Sequence, residues 1–553
     1  MQSLAPTPQS RLMINEPFKL ERLGSFDKAI ASLGFGAFLS LCTPGFDITW
    51  IAFVGLVPLL IFIRSAQSIT QAAFSGFCFG LGYYLVALRW IFSLHPLASI
   101  EPWMSMQLIT GLWLLESMHQ SILYSSFAAL VAALPLRAGW LPHFRRPFFP
   151  YLISVPIIWT FLYWTIGTSP WFLGLPINAL AYSQSQQLPF IQLARLLGPA
   201  SIDFLIVLVN AGIAGIFFSS LSWVTPYESR VDRLSIKGGM VADLVVSLSL
   251  AGLANYYGQE VLNRSPLLDT FEFTRAQAAS SAMAPLVPIA VVQPATDNTK
   301  SKESAANSNK PNIAKQEPPA DESILSQIKG VGVPLVVLPE AITGSNSLRP
   351  VLEQKLNYLA HYEKKEIITG FVEKLPQGLV GGTKLLGYGS KPENFYVKRR
   401  LLPFDEYLPL NFISHIMLSE ERDRFMPPTL ISVNSTNLLR SSWGNIGVLI
   451  CLEVLYPNMA TLETRHGAAL LVNNMDLSFC HNNLLARQLL ACATFRAIEN
   501  GRYLVIASNP GISAVINPHG QITASSLWAK SGILIDTVQF LFKKTLFSKM
   551  WWL

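Results

Sequence analysis

The sequence predicts a multi-span α-helical membrane bundle followed by a layered α/β domain that lies outside the cytoplasm. Three observations indicate this architecture. Hydrophobic residues make up 51% of the chain and charged residues only 14%. Long apolar segments fill residues 26–257. Beyond residue 325, short β-rich runs alternate with helical stretches.

The composition argues against an ordinary soluble enzyme. Such proteins carry about 25% charged residues, and 553 residues are too many for one domain. The formal charge of +7 is scattered around the apolar segments, without the basic and aromatic interleaving of nucleic-acid binders. It therefore predicts a membrane topology and no nucleic-acid partner. The five cysteines fit neither zinc nor disulfide-framework spacing, so no metal and no cofactor are predicted.

The membrane bundle is predicted over residues 26–257, after a cytoplasmic N-terminal tail of residues 1–25. A helix needs about 20 largely apolar residues to cross a bilayer. About seven candidate helices meet or approach this length, at 28–46, 48–64, 71–92, 107–134, 149–167, 202–221 and 239–257.

The cations around these segments give the orientation of the bundle. When the loops are assigned alternately to two sides, one side carries eleven Lys and Arg residues and the other carries two. The eleven are Arg11, Lys19, Arg22, Lys28, Arg64, Arg137, Arg145, Arg146, Arg230, Arg233 and Lys237, and the two are Arg89 and Arg195. Because cytoplasmic loops are rich in Lys and Arg, the N-terminus is predicted to be cytoplasmic. Seven spans then leave everything after residue 257 outside the cytoplasm.

The α/β domain is predicted over residues 283–535, with a low-complexity insert at 296–325 that has almost nothing to bury. A short apolar run at 286–292 precedes the insert. After it, β-rich runs at 333–338, 366–372, 445–450, 468–473, 503–507 and 514–517 alternate with helical stretches such as 349–364 and 484–499. Residues 536–553 are too short and too charged to cross a bilayer, and they are predicted to lie on the membrane surface.

Three segments of this domain hold candidate catalytic residues. Glu340 follows a buried β-run and a proline, where α/β folds place their sites, although a surface Glu in a loop fits at least as well. Lys398 lies in a run of three cations, normally a solvated face, but an apolar, Pro-rich run holding Glu406 follows at once. Cys451 ends an apolar run and precedes Glu453 by two positions, so it is either an inert buried thiol or an accessible thiolate. The residues alone leave these alternatives open.

The order of these segments resembles a known signature. VVLPEAI, ENFYVKRRLLPFDEYLPL and IGVLICLEVLYP resemble the Glu–Lys–Cys segments of the nitrilase superfamily. Placed behind a multi-span bundle, such a domain resembles the bacterial apolipoprotein N-acyltransferase family. FCFGLGYYLVALRWIF, LGPASIDFLIVLVNAGIAG and RAIENGRYLVIASNPGISAVINPHG extend the likeness, which covers roughly residues 26–260 and 286–530.

The resemblance implies a nitrilase-like αββα sandwich and a role for each candidate. Glu340 is expected to be the general base, Lys398 the cation that stabilises the oxyanion, and Cys451 the nucleophile. Glu406 and Glu453 are expected to support them. The family takes an acyl chain from a phospholipid, holds it as a thioester, and passes it to the α-amine of the diacylglyceryl-cysteine of an apolipoprotein. It also implies a monomer in the bacterial inner membrane.

Departures from the family pattern keep two other functions open. The family's Pro-Phe-Gly-Glu stretch reads Pro-Phe-Asp-Glu here, with Asp405 before Glu406. Two tryptophans are missing, one of them replaced by Ser478, and no eighth span follows the α/β domain. The alternatives are a membrane-tethered amidase or acyltransferase with another acceptor, and a divergent, non-catalytic homologue that binds lipid or lipoprotein.

Overall fold

The described part of the N-terminal half is mostly helical. The computed structural model describes residues 25–96, 101–134, 136–137, 149–169, 176–220, 230–263, 286–294, 320–344, 349–375, 378–387, 394–401, 432 and 437–550. The long helices in these ranges are α1 Ser25–Leu39, α2 Val57–Arg64, α3 Ile69–Ala87, α4 Pro102–Ala133, α5 Tyr151–Thr168, α6 Pro199–Ser220 and α7 Arg230–Asn263. Each predicted span overlaps one of them, in order.

Shorter elements connect these helices. Single-turn segments cover Ser40–Cys42, Thr49–Phe53, Arg89–Leu94, Pro176–Asn178, Leu180–Gln184, Leu188–Ile191 and Ala194–Leu197. A two-residue parallel pairing joins Leu136–Arg137 to Phe149–Pro150. The helices pack around buried aromatic rings, among them Tyr124 and Trp159, whose centroids lie 5.1 Å apart in an edge-on arrangement. The segments thus form one packed bundle.

Two helices in the described ranges are long and apolar enough to cross a membrane by length and composition. These are Ile69–Ala87 and Pro199–Phe217, while shorter apolar helices cover Thr49–Arg64, Tyr151–Thr165 and Leu188–Leu197. This is weak evidence for a membrane bundle, because the core helix of a soluble protein passes the same test.

The C-terminal half contains a first sheet built around three parallel strands. Its strands are β1 Leu286–Gln293, β2 Leu335–Val337, β3 Thr343–Gly344, β4 Glu366–Leu375, β5 Gly378–Gly387 and β6 Phe395–Val397, together with the last strand of the chain, Gly532–Gln539. The last strand, β1, β2, β4, β5 and β6 lie side by side in that order, and β3 pairs with β4. The pairs β1–β2 and β2–β4 are parallel.

A second sheet repeats this plan. Its strands are β7 Leu439–Ser441, β8 Gly444–Ile450, β9 Leu470–Asp476, β10 Leu504–Asn509, β11 Ala514–Ile516 and β12 Ile522–Ser525. The last strand of the chain, Gly532–Gln539 of the first sheet, is therefore numbered β13. The sheet order is β12-β11-β10-β9-β8-β7, and β8, β9 and β10 run parallel. Most residues of these three strands are buried, and Val, Ile and Leu are the commonest among them, as expected of parallel strands that are buried on both faces.

The two sheets lie face to face between helices. Inward side chains such as Val337 and Val448 share one apolar core, whereas Val336 packs outward against α8 Ala320–Ile328 and α9 Arg349–Tyr362. Helices α10 Pro457–Arg465 and α11 Leu484–Asn500 contact the second sheet. The predicted two-sheet αββα sandwich is therefore confirmed.

The domain boundaries differ from those expected from the sequence. Helix α8 begins at Ala320, so the end of the predicted insert is helical, because Ile324 and Ile328 are buried against the first sheet. Strand β13 pairs with β1 as far as Gln539, four residues beyond the predicted end of the domain at 535. Residues 1–24, 296–319 and 551–553, which belong to the predicted tail, insert and C-terminal segment, lie outside the described residues.

The segment after β13 packs on the protein. Phe540 and Phe547 are buried, and the backbone carbonyl of Lys543 accepts a hydrogen bond of 2.6 Å from Arg502. The short helix α12 Leu546–Lys549 contacts the single-turn helix Ala194–Leu197 of the bundle. Phe542 and Leu546 on the same segment are about half exposed. That this segment lies on a membrane surface stays a prediction.

Candidate active site

Glu340 lies in the loop that follows β2. Its carboxylate Oε1 accepts a hydrogen bond of 2.8 Å from Lys398 Nζ, and its Oε2 accepts one of 3.1 Å from the backbone N–H of Asp476. The next residue, Ala341, has a φ of 54°, a left-handed conformation that costs a non-glycine residue about 1–3 kcal/mol. A loop held in this way fixes the carboxylate at the end of the strand.

Gly370 of β4 lets the loop of Glu340 approach the sheet. A Cβ atom at Gly370 would lie 2.5 Å from the backbone nitrogen of Ala341 and 2.6 Å from the Cα of Glu340. Because neither backbone atom can move aside without moving the loop, only glycine fits here. The position of the Glu340 carboxylate therefore depends on a residue thirty positions further along the chain.

Lys398 directly follows β6 and is buried. Its backbone N–H donates to the carbonyl of Gly381 on β5, at 2.9 Å, which continues the sheet pairing to this residue. Only 2% of Lys398 is exposed, so the interpretation as a solvated face is wrong for this residue. Burial of an ammonium group is costly unless it is paired. The ion pair with Glu340 supplies that partner.

Cys451 directly follows β8 and begins a short 3-10 helix, Cys451–Leu455. Its φ of 50° is a second left-handed, non-glycine conformation in the same site. The residue is 3% exposed, and its carbonyl accepts a hydrogen bond of 3.3 Å from the Asn473 side chain. The sharp turn directs the chain away from the sheet at the thiol-bearing residue.

Strand β9 joins the segment of Cys451 to the loop of Glu340. Asn474 is the register partner of Ile450, the residue before Cys451. The Asn474 side chain donates to the carbonyl of Leu338 and accepts a hydrogen bond of 3.2 Å from Thr383 of the first sheet. Two residues later on the same strand, Asp476 binds Glu340. The structure thus brings Glu340 and Lys398 into contact and links them to the Cys451 turn through one strand.

Glu453 accepts four hydrogen bonds and is fully buried. Its Oε2 accepts from the Tyr396 hydroxyl at 2.8 Å and from the Ile450 N–H at 2.9 Å. Its Oε1 accepts from the backbone N–H groups of Arg399 and Arg400, at 2.7 and 3.0 Å. Glu453 therefore bonds to residues on both sides of Lys398 and to the residue before Cys451. Glu406, the other predicted supporting residue, lies outside the described residues.

Several contributors to this site carry no signal in the sequence. Asn474 sits inside an apolar strand, Gly370 is one glycine among 35, and Tyr396 is one tyrosine among 16. Glu463 lies on an ordinary amphipathic helix, yet it is fully buried and pairs with Arg399. The Lys-Arg-Arg run is visible in the sequence, but it did not indicate that Arg399 pairs with a buried carboxylate.

The other cysteines are buried, and none is a comparable candidate nucleophile. Cys480 precedes His481, but burial raises the pKa of the Cys480 thiol to about 12, and Ser93 of the bundle is its hydrogen-bonding partner. Burial likewise raises the pKa of the Cys492 thiol to about 12. Both thiols are therefore protonated at neutral pH. In the described part of the chain, no group of three or more His, Cys, Asp or Glu residues could hold a metal ion.

The helical half also reaches the Cys451 turn. Arg496 of α11 is fully buried and donates to the carbonyl of Leu455, the last residue of that turn, at 3.0 Å. It also donates to the hydroxyl of Tyr182 from the helical half at 3.2 Å and pairs with Glu499 at 2.6 Å. Burial raises the pKa of Glu499 to about 7, although Arg496 counteracts it. The turn that begins at Cys451 is thus anchored to both halves of the chain.

The two-sheet sandwich, with its Glu–Lys pair linked to a cysteine-bearing turn, defines a protein of the carbon–nitrogen hydrolase class. Residues 289–541 match the carbon-nitrogen hydrolase family. Residues 35–212 match the apolipoprotein N-acyltransferase N-terminal domain. With both parts present in this order, the chain belongs to the apolipoprotein N-acyltransferase family.

Similar proteins match along most of their length. An apolipoprotein N-acyltransferase of Gloeobacter violaceus is 26% identical over 541 residues, which covers 96% of this chain and 91% of the relative. One of Thermosynechococcus vestitus is 25% identical and covers 90% and 85%, respectively. Among solved structures, a carbon-nitrogen hydrolase from Helicobacter pylori is 18% identical, with a TM-score of 0.33 over 46% of this chain and 90% of its own. A structural likeness at that level says nothing about activity.

Proposed function

We propose that the protein transfers an acyl chain from a phospholipid to the α-amine of the N-terminal diacylglyceryl-cysteine of apolipoproteins, through a thioester on Cys451. The observation that carries this proposal is the buried ion pair between Lys398 and Glu340, at 2.8 Å, which β9 links to the turn of Cys451. A carboxylate, an ammonium group and a thiol at one edge of a sandwich suit acyl transfer through a covalent intermediate. The family names of the relatives agree with this reaction.

In the first step, the Glu340 carboxylate takes the proton from the Cys451 thiol. The thiolate attacks the ester carbonyl of the phospholipid, and the carbonyl oxygen becomes an oxyanion. Lys398 stabilises that negative charge, which is worth more in a site shielded from water. When the carbon–oxygen bond to the glycerol breaks, Glu340 returns the proton to the departing alkoxide. The products are a lysophospholipid and the acylated Cys451.

In the second step, the acceptor amine attacks the thioester. Glu340 takes a proton from the amine, Lys398 again stabilises the oxyanion, and the Cys451 thiolate leaves as the amide bond forms. The proton on Glu340 then returns to the thiolate. Splitting the transfer in two lowers each barrier, and the 3% exposure of Cys451 helps to keep water from the thioester.

The proposal includes a membrane location for the helical half, with the catalytic domain outside the cytoplasm. Large apolar side chains on several helices are exposed, including Leu115 at 64%, Phe161 at 63% and Leu253 at 61%. Soluble proteins rarely expose so many apolar side chains together, whereas a lipid-facing bundle requires them. Alkaline phosphatase fused after residue 263 should be active, because that enzyme works only outside the cytoplasm. The orientation would be contradicted if the phosphatase fusion were inactive and a second fusion at the same position, to a reporter that fluoresces only in the cytoplasm, were fluorescent.

The reaction is tested with the full chain in vesicles of phosphatidylethanolamine and phosphatidylglycerol that carry labelled acyl chains. The wild-type protein should acquire a label that hydroxylamine removes, and Cys451→Ala should not. A synthetic peptide with an N-terminal diacylglyceryl-cysteine should then release the label from the protein as an N-acyl peptide. The Cys480→Ala variant is the matched control, and it should label like the wild type.

The outcomes separate the proposed function from its alternatives. Label on Cys451 without transfer to the peptide, but with transfer to another amine or to water, would favour an amidase or an acyltransferase with another acceptor. No label on a folded wild-type protein would favour a non-catalytic lipid-binding homologue. Equal labelling of wild type and Cys451→Ala would exclude the thioester mechanism.

A further inference from the structure

Four buried side chains form a continuous chain of hydrogen bonds behind the catalytic pair. The Tyr396 hydroxyl donates to Glu453 at 2.8 Å, and Arg399 Nε donates to the same hydroxyl at 2.9 Å. At its other end, the Arg399 guanidinium pairs with Glu463 through Nη2. Tyr396, Glu453 and Glu463 are fully buried, and the Arg399 side chain is 6% exposed.

This chain of contacts joins three separate parts of the domain. Tyr396 lies on β6, two residues before Lys398, and Arg399 is the residue after Lys398. Glu453 belongs to the turn that begins at Cys451, and Glu463 lies on α10. The end of β6 is therefore attached both to the Cys451 turn and to a helix that contacts the second sheet.

Lys398 depends on these attachments because of its own flexibility. A lysine side chain has four rotatable bonds, and it loses about 2 kcal/mol of rotamer entropy when it is held in place. Glu340, which pairs with Lys398 at 2.8 Å, is the group that must exchange protons during the reaction. Fixing the backbone of Lys398 limits how far its ammonium can move from the oxyanion when Glu340 changes its charge.

We infer that Arg399 and Glu463 are positioning residues for acyl transfer, which hold Lys398 in register with Cys451 through Tyr396 and Glu453. The inference rests on the proposed function, since it concerns the same reaction. Both residues would act through their neighbours, because the Arg399 side chain is 6% exposed and Glu463 is fully buried. Arg399 is fixed at both ends, because its backbone N–H binds Glu453 and its guanidinium binds Glu463. With Arg399 fixed in this way, the adjacent Lys398 cannot shift relative to the turn.

The charges of the cluster support a role for the pair. Arg399 forms a salt bridge with Glu463, and Glu453 lies close enough to disfavour the charged form of Glu463. Burial is the largest cause that raises the pKa of Glu463, to about 7. Removing Arg399 leaves the buried Glu463 without this cation, which favours the neutral form of Glu463 or a displaced side chain. Either change loosens the turn of Cys451 from the end of β6.

The test uses single-turnover acylation of the full chain in labelled phospholipid vesicles. Arg399→Gln and Glu463→Ala should lower the rate constant for thioester formation by about 10²-fold, the effect of roughly 1 Å of misplacement in an active site. The phospholipid fraction that gives half the maximal rate should not change, because neither residue contacts lipid. Glu463→Gln should recover most of the rate, since its amide oxygen still accepts from Arg399.

Two features separate positioning from general loss of structure. A merely structural defect lowers the amplitude of the turnover, which counts folded molecules, whereas a positioning defect lowers its rate constant. Tyr396→Phe removes only the hydroxyl that joins Arg399 to Glu453, and it should slow the reaction about tenfold, the result of a loss of about 1.4 kcal/mol in the transition state. The matched control is Glu363→Gln, which breaks the 2.6 Å pair with Lys365 in the same domain. It should keep the wild-type rate constant.

Each outcome decides between the possibilities. A wild-type rate constant in Arg399→Gln or in Tyr396→Phe overturns the inference and leaves the proposed function intact. Equal slowing in Glu363→Gln also overturns it, because the effect would then follow any lost ion pair. If the wild-type protein itself forms no thioester, the proposed function fails and the inference fails with it.

Discussion

Replacing Glu453 with Gln should lower the stability of the protein and displace the turn that begins at Cys451. Each carboxylate oxygen of Glu453 accepts two hydrogen bonds, and the side chain is fully buried. Gln offers one acceptor oxygen, so its NH₂ group must face two donors. The least costly orientation turns the NH₂ group toward Tyr396, whose hydroxyl can rotate and accept, and leaves the N–H of Ile450 without its acceptor.

The magnitude follows from the bonds that are lost. A hydrogen bond to a charged group contributes about 1.5–3 kcal/mol, and the bond from the Ile450 N–H is lost, so the free energy of unfolding should fall by about 1.5–3 kcal/mol. Ile450 is the residue before Cys451, so its release also displaces the nucleophile. We expect the rate constant of thioester formation to fall by about 10²-fold.

Two measurements on the full chain check this prediction. Thermal unfolding in detergent should show a lower Tm for Glu453→Gln, and single-turnover acylation should show the lower rate constant. Glu366→Gln is the matched control, because Glu366 is also a buried carboxylate but binds Ser442 at the far end of β4 through one oxygen. It should keep its acylation rate. A Glu453→Gln protein with wild-type Tm and wild-type rate would refute the reasoning.

Three further predictions follow from the packing and the charges. Gly370→Ala should displace the loop of Glu340, cost about 1–3 kcal/mol through overpacking, and lower the acylation rate at least about tenfold. The raised pKa of Glu463, about 7 in place of 4.5, means that the folded state binds this proton more tightly. Its stabilising contribution is therefore complete below about pH 4.5 and is lost as the pH rises through about 7, so Glu463→Gln should reduce the fall in Tm between pH 5 and pH 8. Tyr182→Phe removes an acceptor of the buried Arg496. The free energy of unfolding should therefore fall by about 1.5–3 kcal/mol, and the Tm should fall with it.

These predictions have their own controls and contrary outcomes. Gly332→Ala is the control for the glycine substitution, because a Cβ at Gly332 meets nothing within 4 Å. If Gly332→Ala and Gly370→Ala change the stability and the acylation rate equally, the close approach of Gly370 to the loop of Glu340 does not explain the effect. An unchanged dependence of Tm on pH in Glu463→Gln would mean that this carboxyl does not titrate differently on folding. An unchanged Tm in Tyr182→Phe would mean that the contact between the two halves contributes no stability.

Local sequence patterns identified most of the elements and the chemical groups. Every predicted span overlaps a helix, and the apolar β-rich runs fall on strands, because both patterns follow from which side chains must be buried. Glu340, Lys398, Cys451 and Glu453 were singled out by their positions after such runs and by resemblance. The structure then resolved the alternative left open for Lys398, which is buried and paired.

Tertiary structure alone decided which groups meet. The N–H of Asp476 and the side chain of Asn474 each bind a partner 136 residues away, in the loop of Glu340 and just before it. Such contacts arise from strand register and from the stacking of two sheets, and neither leaves a local pattern in the chain. The same holds for Gly370 beneath the loop and for Glu463 behind Arg399. Local patterns and the family resemblance predicted the elements of this chain and the candidate side chains of an acyl-transfer enzyme. The fold decided how they are held together, because a hydrogen bond depends on distance in space and not on separation along the chain.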